Sequence, residues 1–330
     1  MKTQFTRSGA VALLLLAGAV APAYSQESQD AKAGEVLAKT RKALGDKKLE
    51  GLKTLSAHGQ MDRNLGSVQA SSDVELLIEL PDKYVKSEAS RGMANMTMST
   101  GFNGEKAILP GGGNIQSGPG GAMVFRMGPG ASMHGGEGTK PTPEQLVQLN
   151  ATSLKGSRAE VSRMKLGWFG APHPAVQANY AYAGEAESPD GKAQVSDVKA
   201  ADGFEARLFI DQNNFLPLMV TYKGRQPRMM TSGGPRTRTI SSSGGQTKEL
   251  SDEERKKLAA DTEKMLSQQI AEQPTSDFSL FLDDWQQVEG LAFPHKMRRA
   301  VAGETTEEWT FTRVKVNPKI DPARFATDAK

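Results

Sequence analysis

The chain has 330 residues, of which 41 are Lys or Arg and 38 are Asp or Glu, so its formal net charge is +3; it has no cysteine. This near balance of charge argues against a nucleic-acid-binding surface. The lack of cysteine excludes disulfides, thiolate metal ligands and a cysteine nucleophile. The length lies within the range of large all-β domains.

The first 25 residues have the pattern of a secretory signal peptide. Lys2 and Arg7 charge its start, an apolar run of eleven residues spans 10–20, and Ala23 and Ser25 are the small residues of a cleavage site. We expect cleavage between Ser25 and Gln26, which leaves residues 26–330 as one periplasmic domain. No other apolar run approaches the roughly 20 residues that cross a bilayer, so no transmembrane segment is expected in the mature chain.

The mature chain begins with a helix and continues as an antiparallel sheet. Apolar residues at helical spacing in 31–44, stopped by Gly45, predict an amphipathic helix. In residues 73–80 the period changes to two, because Val74, Leu76, Ile78 and Leu80 share one face while the charged residues at 75 and 79, both glutamate, lie on the other. The segment PDKYVKSEAS then predicts a turn into a further strand.

Two long segments interrupt this pattern. Glycine makes up about a third of residues 101–138, so a Gly/Met-rich loop is predicted at 101–140. Thr142, Pro143 and Gln145 then form a helix start, and this helix is predicted to run to about Lys155 and to resume through Met164. A polar tract and a charged helix at 231–274 read as an insertion between strands.

The second half is rich in hairpins. FEARLFI and FLPLMVTYKG flank the turn DQNN, so Leu208 and Ile210 are predicted to share a face with Leu218 and Val220. Further hairpins turn at Glu289-Gly290 and at Gly303. About ten strands in sequential hairpins with a few helices predict a mainly β fold (α+β), a single antiparallel and strongly curved sheet.

Signatures of catalysis are nearly absent. There is no GxSxG, HExxH or P-loop motif, and two SxxK matches, Ser162–Lys165 and Ser196–Lys199, are as frequent as chance predicts. The four histidines do not have the spacing of paired metal ligands, so structural or surface roles are expected. We therefore expect a protein that is not an enzyme and needs no cofactor.

Methionine is the one residue type whose clustering suggests chemistry. Thioethers select copper(I), and methionine also fills apolar cavities and binding surfaces, so both interpretations remain open. The residues of the alternative copper site are Met93, Met96, Met98, Met123, Met127, Met133 and His134.

Several stretches in order resemble the LolA/LolB-type periplasmic lipoprotein-carrier superfamily, in particular its LolA-like, outer-membrane lipoprotein-sorting group. They are LKTLSAHGQM (52–61), PDKYVKSE (81–88), GFNGEKAI (101–108), FLPLMVTY (215–222), DWQQVEGLAFPHKM (284–297) and VKVNPKIDPARF (314–325). The resemblance implies an unclosed half-barrel with helices over its concave face, which carries acyl chains or lipidated proteins through the periplasm.

The leading hypothesis is accordingly a carrier or binder of lipid or acylated protein, with membrane proteins of the envelope as further partners. An envelope scaffold or sensor that binds a peptide on the same fold is a second alternative to the carrier, beside the copper site. An apolar cavity would favour an apolar guest by about 25 cal/mol per Å² removed from water. The expected lining residues, which could equally form a solid core, are Val74, Leu76, Ile78, Leu80, Leu208, Ile210, Leu218 and Val220, with Met123, Phe125 and Met127 on a flap.

Overall fold

A computed structural model describes residues 26–65, 68–91, 97–109, 143–171, 178–188, 191–200, 203–225 and 275–327. The proposed signal peptide, most of the Gly/Met-rich loop and the insertion at 231–274 lie outside these ranges. Among the described helices, none is long and apolar enough to cross a membrane.

Three α-helices lie among the described residues. Helix α1 spans Gln26–Leu44 and ends where predicted, at Gly45 with φ of 136°; α2 is the single turn Lys47–Glu50. Helix α3 spans Pro143–Phe169 without a break. The sequence predicted that it would end by Met164, but it continues because residues 164–169 are all buried, and this burial outweighs the weak local preference.

The twelve strands are β1 Thr54–Leu65, β2 Val68–Glu79, β3 Lys83–Ser90, β4 Thr97–Asn103, β5 Lys106–Ile108, β6 Ala178–Ser188, β7 Gly191–Ala200, β8 Glu205–Asp211, β9 Pro217–Arg225, β10 Thr275–Val288, β11 Leu291–Val301 and β12 Glu304–Val316. The hairpins predicted at Glu289-Gly290 and Gly303 are present. The prediction that a loop begins at Gly101 is wrong at its start, because residues 101–108 form β4 and β5 around a tight turn in which Gly104 has a φ of 60°.

All twelve strands belong to one antiparallel sheet with the order β5-β4-β3-β2-β1-β12-β11-β10-β9-β8-β7-β6. The first and last strands pair in its middle, and β5 and β6 are its two edges. The sheet does not close into a barrel, so the predicted fold class, a half-barrel with helices on its concave face, is confirmed.

This topology places α3 over the concave face. The chain leaves β5 at one edge and enters β6 at the opposite edge, and α3 lies between them in the sequence. It packs against β4 and β5 as well as β8, β9 and β10, while α1 packs against β6 and β11. The main hydrophobic core lies between these two helices and the sheet. The convex face carries smaller apolar clusters, one of them capped by Phe325 of the 3-10 helix Pro322–Phe325.

Candidate functional site: the concave face beneath helix α3

Most of the predicted lining residues lie on the concave face, in one cluster. Their exposed fractions are at most 3%, so they are packed against neighbours in this conformation; they are Val74, Leu76, Ile78, Leu208, Ile210 and Val220. Leu80 lies beyond the end of β2 and is half-buried against the same cluster. That these residues contact a ligand remains a prediction.

Leu218 departs from the predicted pattern. The hairpin of β8 and β9 has a β-bulge between Phe209 and Ile210, whose partners are Met219 and Pro217, so Leu218 is the extra residue of β9. It is 36% exposed, and its place on the buried face, which simple alternation predicted, is therefore wrong. The proposed flap residues Met123, Phe125 and Met127 lie outside the described residues.

Helix α3 fills the middle of the concave face with an aromatic side chain. Trp168 is fully buried, its ring lies 5.0 Å from that of Phe293 and 6.3 Å from that of Phe311, and its indole N–H points at the Met297 sulfur at 3.0 Å. Two of these partners, Phe293 and Met297, belong to β11, and the third, Phe311, belongs to β12. We call the apolar concave face of the half-barrel the bowl. In this structure it is covered by the protein's own helix α3.

The helix approaches the sheet closely at one residue. A Cβ at Gly167 would lie 2.7 Å from a methyl group of Leu282 on β10 and 3.4 Å from one of Val220 on β9. The first distance is shorter than real Cβ contacts, so the absence of a side chain is what allows this approach. Position 167 therefore sets how deeply α3 sits in the bowl.

Next to this apolar contact, charged side chains form a closed ring of alternating sign. Arg63 binds Glu88 (3.3 Å) and Glu307 (3.0 Å), Lys86 binds Glu88 (3.1 Å) and Glu160 (3.2 Å), and Arg299 binds Glu160 (3.4 Å) and Glu307 (3.0 Å). The side chains are between 11% and 27% exposed. We call this set the ionic ring: Arg63, Lys86, Glu88, Glu160, Arg299 and Glu307.

Strand register builds five of the six positions. Glu307 on β12 is the direct partner of Arg63 on β1 and of Arg299 on β11, so these three side chains lie in one row across the sheet. Lys86 and Glu88 share the concave face of β3, two residues apart. Glu160 is the member contributed by α3, so the ring attaches that helix to four strands.

The ionic ring keeps its members charged. Burial alone would raise the pKa of Glu160, but the charges of Lys86 and Arg299 outweigh it and lower that pKa to about 2. Burial would lower the pKa of Arg299, yet Glu307 and Glu160 raise it above its ordinary value. Such pairs offset the high cost of removing charges from water, and loss of one partner is expensive.

Three polar atoms beside the ionic ring lack a hydrogen-bond partner among the described residues: the Tyr84 hydroxyl, Arg299 Nε and Arg163 Nε. Tyr84 is 1% exposed, and burial together with the charge of Glu160 raises its pKa well above the ordinary value. Arg163 lies over the ring of Tyr222, at 3.8 Å from its centroid. Unpaired buried donors are uncommon, and they often mark a place where a ligand or water binds.

Helix α3 also carries an isolated buried cation. Lys165 is 4% exposed, burial lowers its pKa to about 8, and no carboxylate among the described residues pairs with it. The hydroxyl of Ser162, one turn earlier, has no hydrogen-bond partner, so the Ser–Lys contact that an SxxK nucleophile needs is not formed. Ser196 is equally unpartnered, and Lys199 pairs on the surface with Glu205.

The convex face has a groove of about 400 Å³ around His58. Ser56 Oγ lies 2.9 Å and Glu75 Oε1 lies 3.4 Å from the same imidazole atom, Nε2. A Ser–His–acid relay needs the two partners on different ring nitrogens, so this group is not a catalytic triad. Arg324 also binds Glu75, and burial lowers the pKa of His58.

The structure leaves the copper hypothesis largely untested. Met98 lies on β4 opposite Glu88, whereas the other members, Met93, Met96, Met123, Met127, Met133 and His134, lie outside the described residues. Within the described part of the chain, no three His, Asp or Glu side chains are grouped to hold a metal ion. His295 is buried and contacts the Phe293 carbonyl at 3.2 Å, in keeping with a structural role.

The ionic ring was not predicted from the sequence, although the sequence carries a signal for it. In YVKSE, Lys86 and Glu88 follow Tyr84 at a period of two, and Glu307 likewise precedes Trp309 and Phe311. Charged residues that continue the buried face of a strand are unusual, and they indicate partners across the sheet. The identity of those partners depends on register.

No protein-family model and no curated protein matches the chain. Among solved structures, the fold is similar to a LolA superfamily protein from Nitrosomonas europaea (8% identity, TM-score 0.45, covering 89% of this chain and 97% of that one) and to an outer membrane lipoprotein-sorting protein domain from Vibrio parahaemolyticus (11%, 0.43, 90% and 97%). A more distant match is the MucA/MucB complex of Pseudomonas aeruginosa (11%, 0.25, 90% and 62%).

Proposed function

We propose that this protein is an exported, non-enzymatic carrier or binder of lipid or lipidated protein, which holds an apolar guest in the bowl of the half-barrel. The observation that carries this proposal is the arrangement on the concave face, where an apolar surface of the sheet is covered by a helix and not by a second sheet. Helix α3 is joined to the sheet by discrete contacts around Trp168 and Glu160.

A guest would bind by taking the place of α3. In this closed conformation Trp168 occupies the bowl between Phe293, Phe311 and Met297. An acyl chain that displaced this indole would exchange one apolar contact for another, so the cost of opening would be partly offset by burial of the chain. Transfer by this route needs no catalytic residue.

Native purification followed by extraction and mass spectrometry tests the proposal, together with uptake of a fluorescent fatty acid. Trp168 provides an internal reporter, because its emission should shift to longer wavelength when a guest displaces it from the bowl. A Trp168→Phe variant is the matched control. It lacks the indole in the bowl but keeps the buried Trp309, so the shift assigned to Trp168 should be absent from its emission. Absence of any co-purified acyl species, with no uptake and no spectral change, would refute the proposed function.

A further inference from the structure

Glu160 occupies a site that is built for one anionic oxygen. Its Oε1 atom accepts from Lys86 Nζ at 3.2 Å and from Arg299 Nη2 at 3.4 Å. Lys86 and Arg299 belong to the sheet, on β3 and β11. The site for the oxygen is therefore part of the sheet, while the carboxylate that fills it belongs to α3.

Removal of α3 would change the charge of this site. The complete ionic ring has three cations and three carboxylates, and without Glu160 it has three cations and two carboxylates. The sheet would then present a net single positive charge next to Trp309, whose ring centroid lies 5.6 Å from Lys86 Nζ. Because Lys86 and Arg299 would then lack one of their carboxylate partners, an incoming anion would be favoured there by charge-assisted hydrogen bonds.

Two donors next to this site have no hydrogen-bond partner. The Tyr84 hydroxyl lies within electrostatic range of Glu160 and Arg299, and Arg299 Nε is equally unpartnered among the described residues. Glu160 leaves both donors unused. A head group with more than one anionic oxygen could accept from them as well as from Lys86 and Arg299.

We propose that Glu160 stands in for the head group of the ligand: the concave face binds an acyl lipid with a carboxylate or phosphate head group, which replaces Glu160 at Lys86 and Arg299. This inference rests on the proposed function and names its ligand class. The acyl chain lies in the bowl that Trp168 leaves, and the head group restores neutrality to the ionic ring.

The test compares two probes that differ in charge alone, cis-parinaric acid and its methyl ester, by fluorescence titration of the mature chain at pH 7. In Glu160→Gln, we expect the affinity for the acid, relative to that for the ester, to rise at least about tenfold over the unsubstituted protein. The double variant Glu160→Gln/Arg299→Gln should lose this gain, because it restores the charge balance without an anion. Circular dichroism establishes that each variant is folded.

A matched control separates the effect of a more loosely attached α3 from the effect of the changed charge at position 160. Arg158 of α3 binds Glu105, in the turn between β4 and β5, at 2.7 Å, and this pair is not part of the ionic ring. Arg158→Gln should weaken the attachment of α3 and leave the ratio of acid to ester affinity unchanged. A parallel competition with dodecyl phosphate and with inorganic phosphate identifies the source of the anion, and we expect only dodecyl phosphate, which carries an alkyl chain, to displace the acid.

Each of the other outcomes refutes one defined part of the proposal. An unchanged acid-to-ester ratio in Glu160→Gln, with the ester still bound, refutes the anion site and leaves the carrier function intact. Displacement by inorganic phosphate at the same concentration as dodecyl phosphate refutes the lipid head group and indicates a small-anion site. Absence of binding of either probe to any folded variant refutes the proposed function itself.

Discussion

Replacement of Lys165 by Met should stabilise the protein at neutral pH. This lysine is 4% exposed on α3, and no described carboxylate pairs with it, so a charged ammonium is held in apolar surroundings. Burial lowers its pKa from 10.5 to about 8. One pKa unit corresponds to about 1.4 kcal/mol, so the charged side chain destabilises the fold by about 3 kcal/mol below pH 8.

The pH dependence gives the reasoning its sharpest test. Between pH 8 and 10.5 the unfolded chain keeps the proton of Lys165 and the folded chain loses it, so the contribution of Lys165 to stability should rise with pH in this window. The methionine variant lacks this contribution. Its advantage should fall from about 3 kcal/mol at pH 7 to nearly zero at pH 10.5, because the side chains are of similar length and the penalty is electrostatic.

Urea unfolding followed by tryptophan fluorescence at pH 7, 8, 9 and 10 measures this difference. Lys155→Met provides a matched control, because Lys155 lies on the same helix and is exposed. We expect the control to change stability little at every pH. An advantage of Lys165→Met that stays constant from pH 7 to 10 would refute the electrostatic explanation, since a packing gain does not titrate.

Three further predictions follow from particular contacts. Gly59→Ala should lower the free energy of unfolding by about 3 kcal/mol or more, because its Cβ would lie 2.0 Å from the Thr310 carbonyl oxygen on β12; a stability within 1 kcal/mol of the unsubstituted protein in urea unfolding would contradict this. Gly167→Ala should cost about 1 kcal/mol through its contact with Leu282, whereas Gly156→Ala on the same helix, with nothing within 4 Å of its Cβ, should gain about 1 kcal/mol from helix propensity. Equal shifts in calorimetric Tm for Gly167→Ala and Gly156→Ala would contradict this, because they would show that helix propensity alone determines the change in stability. The lowered pKa of Glu160 predicts a contribution of about 3 kcal/mol that is present above pH 4.5 and is lost as the pH falls towards 2. Acid unfolding of Glu160→Gln should lack this loss, and an identical acid transition in both proteins would contradict the assignment.

Much of the fold could be predicted because it depends on local patterns. The stop of α1 at Gly45, the alternation of β2 and the turn at Glu289-Gly290 each arise from a few neighbouring residues, and all three are present in the structure. Errors occurred where non-local packing overrides local preference. Helix α3 runs through to Phe169 because its last turns are buried, and Leu218 leaves the buried face because of one bulge.

The sequence by itself determined most of the strands, the buried face of several of them and the helix between β5 and β6, because hydrophobic period and turn residues act over short distances. It did not determine which charged residues meet. The ionic ring joins positions 63, 86, 88, 160, 299 and 307, and it forms because pairing of β1 with β12 brings the two ends of the chain together in the middle of the sheet. The attachment of α3 at Glu160 depends on the same strand order, since its two partners, Lys86 and Arg299, lie 74 and 139 residues away in the sequence.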